Sequence, residues 1–147
     1  MRSVRKTNRQ HSPPPPRWPV YRHVIFDCDS TLTGIEGIDE LASHPDTRQR
    51  VADLTRSAMD GKVNLETVYG ERLEILQPTR GAVRALRSRY RKHVVKDAAA
   101  LIQALQVLGH EVYIVSGGLF DPVREFGLHL GVAPEHIRAV EVEYDTL

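Results

Sequence analysis

The stretch FDCDSTLTGIEGIDELA, Phe26 to Ala42, places two aspartates two residues apart just as an apolar run ends. Residues 20–26 contain Val24, Ile25 and Phe26, a run short enough to be a strand, and Asp27 closes it. In extended backbone, residues i and i+2 point to the same side, so Asp27 and Asp29 form a pair. Two carboxylates that close disfavour double ionisation, which raises the pKa of one of them. Such a pair suits a nucleophilic carboxylate beside a general acid. An aspartate can accept a phosphoryl group while its neighbour protonates the leaving alkoxide and then deprotonates the attacking water. Repulsion between carboxylate and phosphate calls for a cation, and hard oxygen donors suit Mg²⁺.

Outward from this stretch the chain alternates strands and helices. Residues 33–37 form a turn with two glycines, and helical patterns follow over 46–59, 65–77 and 79–93. Arg72 falls on the apolar stripe of the second helix, seven residues after Leu65 and four after Val68. Spacing leaves two readings open: a snorkelling arginine, or an anion-binding residue aimed into a pocket. Arg80, Arg84, Arg87 and Arg91 stripe one side of the third helix. Without interleaved aromatics this stripe reads as a solvated face, so no nucleic-acid partner is expected.

Asp97 is expected to cap a helix over 98–108, and EVYIVSGG follows: a strand at 111–115, then Ser116, Gly117 and Gly118. A hydroxyl and backbone amides at such a junction can hold phosphate oxygens. Asp121 and Pro122 read as cap and first turn of a helix to about residue 130, and AVEVEYD, 139–145, alternates like a strand. The order strand, helices, strand, helix, strand predicts an α/β fold with a parallel sheet. Ligands then sit beyond the carboxyl ends of the strands, where the Asp27 and Ser116 loops meet.

The 147 residues are 41% hydrophobic and 27% charged, which fits one domain with a real core. No apolar run approaches the ~18 residues of a membrane span, so no membrane partner is expected. The single cysteine, Cys28, suits a reducing compartment and a cytoplasmic location. Seven histidines lack the spacing of a zinc site. Residues 1–20 carry five bases and no acid, leaving 15 bases against 19 acids in the remainder. With Pro13–Pro16 and Pro19 this basic leader reads as a disordered extension.

FDCDSTLT resembles the first motif, DxDxT, of the haloacid dehalogenase-like phosphatases, and IVSGG their second. The resemblance narrows to the phosphoserine phosphatases on DSTLTGIEGIDELA, AMDGKVNLETVYGERLEILQP and VYIVSGGLFDPV. It implies a Rossmann-like core from 21–37 and 93–147, with 38–92 as a helical cap that closes over the site. It implies Asp27 as nucleophile and Mg²⁺ ligand, and Asp29 as general acid/base with its backbone carbonyl on the metal. Thr31 would orient the loop, Ser116 and Gly117 would bind phosphate, Glu36 would read the substrate amine, and Arg72 would pair with its carboxylate. Arg72 is thereby expected in a pocket.

The family pattern continues to a phosphate-neutralising lysine and an acidic metal-binding loop, whereas no lysine follows Lys96 here. The expectation is therefore a sheet incomplete at its C-terminal side, an open apolar edge on the first strand, and little activity unless another segment or chain supplies the rest. The expected reaction is hydrolysis of O-phospho-L-serine through an aspartyl-phosphate. The alternatives are hydrolysis or transfer on another small phosphomonoester, or a non-catalytic small-molecule-binding remnant.

Overall fold

The computed structural model describes residues 21–144, with the side chains of Met59, Leu65 and Glu66 left aside. The basic leader and Asp145 lie outside the described residues. Three parallel strands, β1 (His23–Phe26), β2 (Glu111–Leu119) and β3 (Ile137–Val140), form a sheet in the order β1-β2-β3. Five helices accompany them: α1 (Pro45–Met59), α2 (Leu65–Leu76), α3 (Arg80–Lys92), α4 (Ala98–Val107) and α5 (Phe120–His129). The architecture is α/β, as the sequence predicts.

Register places the chemistry. His23 pairs with Glu111 and Phe26 with Ile114, so Asp27 and Ser116 emerge from adjacent parallel strands at the same end. β2 alternates, burying Val112, Ile114 and Ser116 while Tyr113, Val115 and Gly117 face the other way. The buried side packs on α4 and α5, where Ile102, Val123, Phe126 and Ile137 are fully enclosed. Gly127 lets α5 approach closely, since a Cβ there would lie 2.7 Å from Ile137 Cδ1. The opposite face is open among the described residues: Ile25 is 65% and Val115 51% exposed. Among the described residues β1 is an edge strand, joined only to β2.

Three local expectations need correction. β2 does not stop at Val115 but continues through Leu119, with its pairing to β3 irregular between those residues. Gly117 and Gly118 lie within the strand, and Ser116 Oγ accepts a hydrogen bond from the Gly118 amide at 3.0 Å. β3 begins at Ile137, and residues 141–144 take no strand structure despite their alternation. Asp97 is the N-cap residue of α4, as expected, but it is left-handed (φ 65°) and makes no side-chain cap bond; the α5 cap is Leu119, with Asp121 inside the first turn. Thr79 does cap α3, accepting from the Ala82 amide at 3.1 Å.

Candidate active site

Beyond the end of β1 the chain folds back tightly over Cys28. The amides of Thr31, Leu32 and Thr33 all donate to the Cys28 carbonyl, at 3.2, 2.8 and 3.2 Å. Ser30 turns left-handed at φ 54° to permit this. The turn is then tied to the segment after α3: Gly34 N–H donates to His93 O at 2.8 Å, and Val95 N–H to Leu32 O at 2.9 Å. Thr33, fully buried, donates its hydroxyl to His93 O at 3.2 Å. These bonds fix the orientation of both aspartates.

Asp27 Oδ1 accepts from the Cys28 amide at 2.7 Å, and Asp29 Oδ2 from the Gly37 amide at 2.9 Å. Ser30 Oγ donates to Glu36 Oε1 at 2.6 Å. All three carboxylates line a cavity of about 330 Å³, together with Arg72, Gly117 and Gly118. Ile38, Val68 and Tyr69 complete the wall. Arg72 is thus on the pocket side of its helix, where its guanidinium donates to Thr55 Oγ1 across the α1–α2 contact. Nothing lies within 4 Å of a Cβ built on Gly117, so its backbone faces open space. Ser116 sits behind it, buried. Thr31 is exposed and contributes its amide, while the buried hydroxyl of the loop belongs to Thr33.

Polar groups are left unsatisfied where the cavity lies. Asp29 Oδ1, Tyr69 OH and Arg72 Nε are buried with no hydrogen-bond partner, and all three residues line this cavity. Such groups are costly in a closed core and ordinary in a site that receives a polar ligand. Burial, first of all, pushes the Asp29 carboxyl above the usual carboxylate range; the Gly37 amide and the nearby Tyr90 hydroxyl oppose the shift, and Glu36 and Asp27 add to it. The Tyr90 hydroxyl itself makes no hydrogen bond of regular geometry. Burial likewise pushes the Tyr69 phenol up to about 12, with the Asp29 charge adding to the effect.

A hard divalent cation fits the oxygen donors present. Asp27 keeps its second carboxylate oxygen free of hydrogen bonds among the described residues. Among those residues no cluster of three or more His, Cys, Asp or Glu forms a metal cage. Mg²⁺ does not need one, because it ordinarily takes one or two carboxylates and completes its shell with water and phosphate oxygens.

Sequence reasoning did not single out Tyr69, Tyr90 or Gly37. Tyr90 is fully buried beside Asp29, and a Cβ on Gly37 would lie 2.0 Å from its hydroxyl. The signal was Gly37 itself, the second glycine of a turn, which admits the ring.

Fold and cavity together define an α/β scaffold with its acidic site beyond the carboxyl ends of parallel strands. The chain belongs to the haloacid dehalogenase-like hydrolases, whose family model matches residues 21–145. Phosphoserine phosphatase of Bos taurus is 31% identical over 121 residues, which are 82% of this chain and 54% of that protein. A phosphoserine phosphohydrolase-like protein from Francisella tularensis superposes with a TM-score of 0.77 at 26% identity, over 86% of this chain and 61% of that one. A phospho-aspartyl intermediate analogue of phosphoserine phosphatase superposes at 0.66 with 30% identity, over 82% and 55%. The chain spans about half the length of the curated relatives it matches. No helix among the described residues is long and apolar enough to cross a membrane.

Proposed function

We propose that the cavity binds O-phospho-L-serine and hydrolyses it through an aspartyl-phosphate on Asp27. The observation that carries this reading is the meeting of Asp27, Asp29, Glu36, Arg72 and Gly117 around one cavity of about 330 Å³. The likeness to phosphoserine phosphatases supports the substrate. Asp27 attacks phosphorus through its free oxygen, and the ester oxygen of serine leaves with the proton of Asp29. Burial favours the protonated form of Asp29, which suits it to donate first. Asp29 then takes a proton from water as that water attacks the phosphoryl group, releasing phosphate and freeing Asp27. The Gly117 amide and Ser116 hydroxyl hold the phosphate oxygens, with Thr31 supporting the loop through its amide. The Arg72 fork takes the substrate carboxylate, and Glu36 its ammonium group.

The Asp27 carboxylate and the Asp29 backbone carbonyl would hold Mg²⁺, which would supply positive charge to offset the repulsion between carboxylate and phosphate. Residues 38–92 act as the cap. Among the described residues Arg72 is the only cation lining the cavity, so slow turnover is expected. The same observation favours, as a second reading, a binding site without catalysis. Phosphate release from phosphoserine with Mg²⁺, measured on the 147-residue chain and its Asp27→Asn variant, separates the two. Release that vanishes in the variant supports hydrolysis. Calorimetric binding with equal, background release in both proteins sinks it, and a panel of other small phosphomonoesters tests the substrate.

A further inference from the structure

α3 carries arginines on two faces, and they are situated differently. Arg89 donates to both the backbone and the carboxylate of Glu40, each at 2.7 Å. Arg84 and Arg87 have no hydrogen bond or ion pair among the described residues, and Arg80 lies over the Tyr144 ring, 4.9 Å from its centroid. Arg80, Arg84 and Arg87 recur at i, i+4 and i+7 and so share one face of the helix. That face is exposed to solvent, and it is concave. With Arg124 of α5 it lines a cavity of about 410 Å³.

Two acids of α5, Asp121 and Glu125, also line this cavity, leaving four guanidiniums against two carboxylates. Glu125 is already partnered, 3.8 Å from Arg124. α3 has no acid in its first turn to offset the excess. Like charges gathered in a concave space repel, and a bound anion relieves that repulsion. A cavity of ~300–1,000 Å³ is the ordinary size for a small-molecule site. Guanidinium forks match phosphate and carboxylate groups bidentately.

We propose that the groove between α3 and α5 is a second anion site, for a small molecule bearing at least two phosphate or carboxylate groups. A nucleic-acid backbone is disfavoured by the acids on the α5 wall and by the occupation of the Tyr144 ring face by Arg80. The groove shares no residue with the cavity of Asp27 and Asp29, so the proposal stands apart from the phosphatase reading.

The test titrates the 147-residue chain with pyrophosphate and with citrate, at low ionic strength and without Mg²⁺, following heat and melting temperature. Saturable one-to-one binding with a raised melting temperature is expected, for one or both probes, and the preferred probe tells phosphate from carboxylate chemistry. The Arg84→Gln/Arg87→Gln double variant should bind about tenfold more weakly or worse. Arg72→Gln, in the other cavity, should leave the affinity unchanged. If the glutamine pair fails to fold, Arg84→Lys/Arg87→Lys keeps the charge, and loss of the forks should still weaken binding. The proposal is overturned by an absence of saturable binding, or by binding that survives both double variants. Loss of binding in Arg72→Gln instead, or tighter binding of duplex DNA than of either probe, overturns it equally.

Discussion

The loop from Cys28 to Gly37 and helix α2, which is backed by α1, face the same cavity, yet they are held in opposite ways. The loop is tied by backbone bonds to its own turn and to the segment after α3, over buried Cys28, Leu32 and Thr33. The helical wall packs mainly on itself, with Val51 and Val68 buried and Arg72 bonded to Thr55. It meets the rest through the short 3₁₀ turn Asp39–Leu41, which α3 holds through Arg89 and Glu40, and through Tyr69 and Leu73 of α2, which pack against Val83, Leu86 and Leu119. The aspartates proposed to react thus stand on a loop tied by backbone bonds, and Arg72, proposed to read the substrate, stands on a wall joined to the rest mainly by side-chain packing. That division suits a site whose wall closes over its ligand.

The largest expected effect lies in the loop. Asp29→Asn should lower kcat by about 10²–10⁴-fold, the usual worth of a positioned acid/base, with little change in phosphoserine affinity by calorimetry. On the wall, Arg72→Lys keeps the charge and loses the fork. It should raise KM about 10–100-fold, the equivalent of one or two charge-assisted hydrogen bonds, with kcat largely kept. Steady-state kinetics on both variants test the division directly. A collapse of kcat in Arg72→Lys would break it, since the wall would then be part of the reacting frame.

How far the sequence foretold this differs between the two regions. Asp27, Asp29 and Gly117 were legible because strand ends in a parallel sheet converge, and register did bring them together. Arg72 was ambiguous on spacing because a helix stripe does not say whether it faces core or cavity; only the packing of α1 on α2 decides. Tyr69 and Tyr90 carry no local signal, for their hydroxyls have meaning only beside Asp29, distant in sequence. Asp97 matched the cap pattern and holds the cap position without a side-chain bond, whereas Asp121 falls inside the first turn because α5 starts earlier, straight after β2. The Gly-Gly after Ser116 read as the end of a strand because local propensity cannot see that β2 resumes pairing with β3 at Leu119.

A smaller effect tests how rigid the loop is. Gly37→Ala would set a methyl 2.0 Å from the Tyr90 hydroxyl and 2.8 Å from Cζ, with no flexible chain end to yield. Overpacking of this kind should cost about 1–3 kcal/mol in denaturant unfolding. Tyr90→Phe in the same protein should recover part of that loss by removing the nearer atom. Full stability in Gly37→Ala would mean the loop is softer than its hydrogen bonds suggest, and the contrast with the wall would fade.

The smallest effect concerns Cys28, beneath the loop. Burial first, then the charges of Asp29 and Asp27, push its thiol well above the ordinary value of 9.0. A group that holds its proton in the folded state and loses it in the unfolded state destabilises the fold as pH rises past the unfolded value. Its contribution is therefore fully present below pH 9.0 and declines above it. The decline is at most about 1.4 kcal/mol per pH unit, and Cys28→Ala should remove that part of the slope. The native thiol should also react with a disulfide reagent at neutral pH at least about 100-fold more slowly than in denaturant, because attack needs both exposure and the thiolate. Rapid native-state labelling would show the loop opening on its own. In that event mobility would belong to the reactive frame as much as to the wall.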